Sequence, residues 1–213
     1  MYVPRHFAEE RTEVLHAAIQ RAEFGTLVTL GAEGLIATHL PLVLEPAAGP
    51  LGTLYGHVAR ANSQWRDNLQ DVQALAIFLG PHAYVSPAWY ATPTKVVPTW
   101  NYLAVHAYGP LCTYDDPVRL RAHVERLTRR QESARAEPWQ LTGQPDDFIA
   151  SMLTAIVGVE IPIQRLEGKW KMSQNRPEAD RLGAIDGLSG SDSPADQAVA
   201  AIMRGLDSAV GDG

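Results

Sequence analysis

Thr94-Lys95-Val96-Val97-Pro98-Thr99-Trp100-Asn101-Tyr102-Leu103-Ala104-Val105-His106-Ala107-Tyr108-Gly109 sets a lysine, two threonine hydroxyls, an amide, a Trp, two Tyr and a His in one extended stretch. From Trp100 it reads as a strand, whose side chains alternate between two faces. Leu103, Val105 and Ala107 share one face and read as core. Trp100, Tyr102, Ala104, His106 and Tyr108 share the other. A face of rings with polar tips meets a ligand or another subunit. It can also pack under a helix with its polar atoms satisfied locally. On this stretch alone both readings stay open.

Working outward, strand signals come in series. Thr26–Leu30 is a β-rich run, Gly31 and Gly34 bracket a turn, and Leu35–Leu44 is a second run with Pro41 inside it. Leu51–Val58 is a third, and Asn62–Asn68 has room for one or two helical turns. Val72–Leu79 is almost wholly apolar, as expected of a strand covered on both faces. Val157–Leu166 returns to strand, with Pro162 hinting at an edge. Helices are expected over Glu9–Glu23, after Asp116-Pro117, and after Pro145 with Phe148, Ile149, Met152 and Leu153 buried. Arg176–Gly190 is polar and Gly-rich, and Ser193-Pro194-Ala195-Asp196 resembles a capping box for a last helix. Many antiparallel strands with few helices predict a mainly β fold, a barrel decorated by helices, with an α+β sandwich as the alternative. Residues 1–170 are expected to form the barrel domain, and 171–213 a segment docked on it or on a partner subunit.

Composition narrows the function classes. The chain has 213 residues, 46% hydrophobic, with a formal charge of −6. That charge argues against a protein built to coat nucleic acid. No apolar run is long enough to span a bilayer, and the first residues lack a signal-peptide core. Cys112 is the only cysteine, so an intrachain disulfide and Cys-based metal sites are excluded. These features point to the cytoplasm. The seven His residues lack the spacing of a zinc site, and neither a P-loop nor a nucleophile elbow is present. A phosphate would therefore have to be held by side chains.

Four further clusters carry polar chemistry. Thr38-His39-Leu40-Pro41 places His39 on an irregular strand. Gly56-His57-Val58-Ala59-Arg60-Ala61-Asn62-Ser63-Gln64-Trp65 puts an imidazole, a guanidinium, an amide and a hydroxyl where a strand gives way to a helical turn. Such a junction suits an anion, and equally suits a plain N-cap. Tyr84-Val85-Ser86-Pro87-Ala88-Trp89-Tyr90 leads to Lys95, so Ser86 and Lys95 are within reach of a phosphate or a ring edge, with Pro87 and Pro93 fixing the loop. Lys169-Trp170-Lys171-Met172-Ser173-Gln174-Asn175-Arg176 concentrates three cations and two amides in an acidic chain. A solvated strand edge would explain the lysines but not the amides, and an anion site is the stronger reading.

Together with the start Met1-Tyr2-Val3-Pro4-Arg5-His6-Phe7, these motifs resemble the PaiB-like family of FMN-binding negative transcriptional regulators. The resemblance implies a split β-barrel of the pyridoxamine-phosphate-oxidase-like kind, with FMN in clefts between the subunits of a homodimer. It implies phosphate contacts from Arg60, Ser63, Lys95 and Lys171. Thr99, Asn101, Asn175 and Arg176 would meet the ring or ribityl chain, and His39, His57 and Trp100 would flank the ring. Ser86 and Lys169 are further candidates. Repression of transcription is the implied role, with no helix-turn-helix evident; Arg119, Arg121, Arg126, Arg129 and Arg130 could form a basic strip, and a solvated helix face is the stronger reading of them. An FMN-dependent oxidoreductase using NAD(P)H is the alternative, and heme held by His39, His57 or His106 is a third.

Overall fold

The computed structural model describes residues 1–69, 72–92 and 94–211, with side chains through residue 206. Pro93 lies outside the described residues. Along the chain run β1 (Ala8–Glu9), α1 (Thr12–Ala22), β2 (Phe24–Gly31), β3 (Gly34–Pro41), β4 (Val43–Glu45), β5 (Thr53–Ala59), α2 (Gln64–Asp67), β6 (Ala74–Val85), β7 (Thr99–Gly109), β8 (Cys112–Tyr114), α3 (Pro117–Glu132), α4 (Asp146–Leu153), β9 (Ile156–Pro162), β10 (Arg165–Lys171), α5 (Glu178–Ser189) and α6 (Pro194–Gly211). They divide into two compact units. The first comprises Met1–Ala18, Leu79–His106 and Glu167–Gly213; the second comprises Ile19–Phe78 and Ala107–Leu166.

In the second unit β2 and β3 form a hairpin in full register, from Phe24↔Pro41 to Gly31↔Gly34. The other edge of β2 pairs with the start of β6, Thr26↔Ile77 to Val28↔Leu75. A four-stranded antiparallel sheet runs β4-β5-β9-β8. The Asp116 carboxylate accepts the Arg119 N–H and Pro117 follows at the first helical position, so α3 starts where its sequence predicts. Leu120, Leu141, Ile149 and Leu153 close a buried cluster, joined by Tyr114, Val124 and Ile156. Each fully buried side chain of this kind stabilises by about 1.5–3 kcal/mol.

In the first unit the strands run β1-β10-β7-β6. Ala8 pairs with Lys169 and Glu9 with Gly168. Val85, Val105, Trp170, Met172, Ile185, Leu188, Val199, Ala200 and Met203 are buried. Helix α5 offers Gly183 and Gly187 to Trp89. A Cβ on Gly183 would stand 1.9 Å from the Trp89 carbonyl oxygen, and one on Gly187 would stand 2.3 Å from its indole. Two glycines of this Gly-rich stretch are the seat of a tryptophan. The polar tail read over Arg176–Gly190 is thus a helix.

Other expectations are corrected by pairing. The first helix begins at Thr12, because Ala8 and Glu9 are taken up as a strand by β10. The run Leu35–Leu44 breaks at Leu42, whose N–H donates to the Glu23 carbonyl (3.0 Å), and β4 joins the other sheet. Val72–Leu79 is not covered on both faces: Leu79 is 64% exposed. Instead β6 continues to Val85, and the buried set passes from Ala74, Ala76 and Phe78 to Ala83 and Val85 across Gly80-Pro81. Val157–Leu166 is two strands, β9 ending at Pro162. On α4, Phe148 and Met152 are half exposed while Ile149 and Leu153 are buried, since two helical turns cover only one i,i+4 pair. Among the described residues no helix is long and apolar enough to cross a membrane, and no group of three or more His, Cys, Asp or Glu is placed to hold a metal ion.

Candidate functional site

The first unit gathers the C-terminal motif and the opening of β7 into one cleft of about 130 Å³. It is lined by Thr99, Asn101, Lys171, Ser173, Asn175 and Arg176, with Phe7, Val97 and Pro98 as the apolar wall. The strand pairing explains the meeting. β10 and β7 are neighbours, so residues at the start of one strand face those at the end of the other. The Lys171 ammonium donates to the Thr99 hydroxyl and to the Trp100 carbonyl (2.6 Å). Asn101 is fully buried; its Nδ2 donates to Ser173 Oγ (3.0 Å) and to Met203 Sδ (3.4 Å), and Ser173 Oγ donates back to Asn101 Oδ1 (3.2 Å). Ser173 sits at φ 64°, a left-handed conformation costly for a residue with a Cβ. Its bonds to Asn101 and the Arg176 N–H on its carbonyl (2.9 Å) hold it there.

Charge is the distinctive property of this cleft. Lys169 is buried and donates to the Tyr2 carbonyl (3.0 Å), its ammonium 5.5 and 5.2 Å from the ring centres of Tyr2 and Tyr102. The Arg176 guanidinium lies 4.7 Å from the Tyr90 ring centre. Among the described residues, no carboxylate is ion-paired with Lys169, Lys171 or Arg176. Burial pushes the Lys171 ammonium below its ordinary range, and the charges of Lys169 and Arg176 push the same way. Like charges held together without counter-charges raise the affinity for an anion. Buried Asp180 is occupied by Thr92, whose N–H and hydroxyl both donate to it (2.9 Å).

The remaining first-unit candidates do not line the cleft. Trp100 is 47% exposed, with His82 and Tyr84 rings 5.7 and 6.3 Å away. Ser86 caps its own short turn, accepting from the Ala88 N–H (3.2 Å). Lys95 is exposed and sits at φ 60°.

The second-unit candidates have a different character. Arg60 is engaged by its own unit: Nε donates to the Thr154 carbonyl (2.7 Å), Nη2 donates to the Ile156 carbonyl (3.1 Å), and Nη1 lies 3.6 Å from Asp115. The guanidinium expected on a phosphate ties β5 to the start of β9. Asn62 caps α2, accepting the Gln64 N–H (3.0 Å) and donating to Thr38 (2.8 Å). Buried Gln64 donates to Leu27, Thr29 and Ile36, bracing the β2–β3 hairpin. Ser63 is exposed and its side chain makes no capping bond. His39 is exposed and hydrogen-bonds Thr26 (2.8 Å). His57 Nδ1 meets His123 Nε2 at 3.1 Å. Burial holds both imidazoles below their ordinary range, His123 down to about 4 with the charges of His57 and Arg126 adding to it. His123 was not singled out from sequence. The signal was its place three residues after Leu120, on the stripe that α3 buries.

Comparison with known proteins identifies the family and the fold. The family described as "Putative FMN-binding domain" matches residues 1–165. The "Protease synthase and sporulation protein PAI 2" of Bacillus subtilis (strain 168) is 34% identical over 204 residues, covering 96% of this chain and 97% of that protein. The protein AN0679 of Emericella nidulans is 32% identical, covering 96% of each. Two solved structures share the fold at low identity. The flavocytochrome Anf3 of Azotobacter vinelandii has a TM-score of 0.60 at 12% identity, over 92% of this chain and 78% of that one. The FAD and heme binding protein of Mycobacterium smegmatis has a TM-score of 0.61 at 13% identity, over 83% and 79%. By its antiparallel sheets, its family match and its relatives, the chain belongs to the PaiB-like family of FMN-binding split-barrel flavoproteins, and FMN is its cofactor.

Proposed function

We propose that the first-unit cleft receives the phosphate end of FMN, with Lys171 and Arg176 as its cations and Thr99, Asn101 and Asn175 as polar contacts along the adjoining chain. The observation that carries this reading is the trio Lys169, Lys171 and Arg176, which no described carboxylate neutralises. A volume of about 130 Å³ suits a phosphate group and not a whole isoalloxazine. The ring then extends out of the cleft, and exposed Trp100 and Lys95 are the candidates to meet it. In the second unit Arg60 and His57 are committed within their unit, whereas Ser63 and His39 are exposed. When bound, the flavin supplies the redox chemistry, and the chain's own groups bind and orient it. Fluorescence titration of FMN tests the assignment. Lys171→Met weakens FMN binding about 30-fold, the size of a charge-assisted phosphate contact. Unchanged affinity in a folded variant would remove Lys171 from the site.

The protein acts as a homodimeric regulator, in this reading. Leu79, Tyr84, Val97 and Trp100 expose large apolar surface in the first unit of a single chain, and such patches mark interfaces. Sedimentation equilibrium should give twice the chain mass. A monomer at all concentrations would end the dimer proposal. Direct DNA contact through α3 has little support. Arg119 pairs with Glu160, Arg121 with Glu125 and Asp146, Arg126 with Glu45 and Arg130 with Glu23, leaving Arg129 of the strip. Regulation is therefore assigned to the flavin state or a partner, not to this helix on a phosphate backbone. The flavocytochrome neighbour favours a second reading, an FMN-dependent oxidoreductase fed by NAD(P)H. Anaerobic bleaching of the bound flavin by NADH or NADPH would select it, and a flavin left oxidised by both would select the regulator.

A further inference from the structure

We propose that the second unit carries a separate site for a small carboxylate, formed by Arg119, His123 and Arg126 of α3 above Tyr55 of β5 and Tyr114 of β8. Residues 119, 123 and 126 fall on one face of a helix. They line a cavity of about 370 Å³ together with the two tyrosines and Ala122, whose methyl leaves the centre of that face open. The Arg119 guanidinium lies 4.1 Å from the Tyr114 ring centre, and that of Arg126 lies 4.9 Å from Tyr55. Stacking on a ring holds a guanidinium in place before any ligand arrives.

What points to a ligand is a pair of unmet donors. The Arg126 Nε is buried without a hydrogen-bond partner among the described residues. The Glu45 carboxylate stands 3.7 Å from its Nη1, too far to accept a hydrogen bond. His123 is 3% exposed; its Nε2 faces His57, which leaves Nδ1 buried and unpartnered. Buried polar atoms are normally satisfied, and here two unsatisfied ones belong to residues that share a cavity. A carboxylate meets both. Its oxygens accept from the Arg126 fork and from His123 Nδ1–H, in the tautomer where His57 Nδ1–H donates to His123 Nε2. Arg119 keeps its bond to Glu160 (2.7 Å) and adds positive potential at the rim. Nothing in the flavin cleft takes part in this site.

The test is nitrogen NMR of the full-length, FMN-loaded protein, following the His123 side-chain nitrogens during titration with acetate, succinate and benzoate. Sodium chloride at matched ionic strength is the control. The expected result is a saturable shift with at least one carboxylate. Arg126→Gln should weaken it at least tenfold, and so should Arg126→Lys, because an ammonium lacks the fork. Arg129→Gln, outside the cavity, should leave it unchanged. Absence of a saturable shift with all three carboxylates, a shift reproduced by chloride, or equal affinity in Arg126→Gln would each overturn the site.

Discussion

The segments 56–65 and 169–176 look alike as strings: each mixes cations, amides and hydroxyls around a tryptophan. In the folded chain they differ in what is left over. Arg60, Asn62, Gln64 and Trp65 spend their polar groups on the backbone and side chains of their own unit; even the Trp65 indole donates to the Arg60 carbonyl (3.1 Å). Lys169 and Lys171 also donate within their unit, but no described carboxylate is ion-paired with them or with Arg176. A polar motif announces function when its charge is left over after the fold is satisfied. Composition alone does not distinguish the two cases.

The contrast can be broken at its strongest point first. Gly183→Ala should remove the Trp89 seat, because the added methyl meets a backbone oxygen that cannot swing away. Overpacking of this kind costs about 3 kcal/mol, read as a lowered urea midpoint, and FMN affinity should fall with it because the loop from Trp89 leads to the cleft. A variant of wild-type stability would mean that α5 is not the clamp described.

The second unit answers to pH. His57 and His123 have folded values below the ordinary 6.5, His123 at about 4. Between about 4 and 6.5 the unfolded chain binds more protons than the folded one, so stability rises with pH across this window. It is fully present above 6.5 and is lost as pH falls toward 4. The His123 contribution is on the order of 3 kcal/mol. Urea unfolding from pH 4.5 to 7.5 should show this slope, and His123→Gln should flatten it. An equal slope in both proteins would place the acid sensitivity elsewhere.

Arg60→Ala sharpens the comparison in the other direction. It should cost about 2 kcal/mol of stability, as expected for charged hydrogen bonds to two carbonyls at a half-exposed site, and move FMN affinity only as far as folding moves. A selective loss of FMN binding at full stability would return Arg60 to the phosphate. Ser63→Ala is the smallest probe. An exposed hydroxyl without a capping bond should change stability by less than about 0.5 kcal/mol, so any change in FMN affinity reports contact alone.

Much of the fold was legible because the determinants are local. The Asp116-Pro117 start of α3 and the β2–β3 turn hold, and the alternation of β7 holds for Val105 and Ala107, while Leu103 is half-buried and Ala104 is buried. What escaped depends on partners distant in sequence. Ala8 and Glu9 are a strand only because β10 lies alongside. The glycines of α5 are helical because Trp89 needs their missing side chains. Within the candidate cleft, Lys171, Thr99, Asn101, Asn175 and Arg176 were readable as a concentration of polar groups; Phe7, Val97 and Pro98 were not, since apolar walls carry no chemical signature. The engagement of Arg60 was invisible, because its carbonyl partners belong to residues 154 and 156.

The most direct measurement compares FMN with riboflavin, which lacks the phosphate, in wild type and in Lys171→Met. If the cationic cleft holds the phosphate, wild type prefers FMN and the preference falls about 30-fold in the variant, while riboflavin binding barely changes. If the ratio of the two affinities is the same in both proteins, Lys171 does not meet the phosphate and the cleft serves another ligand.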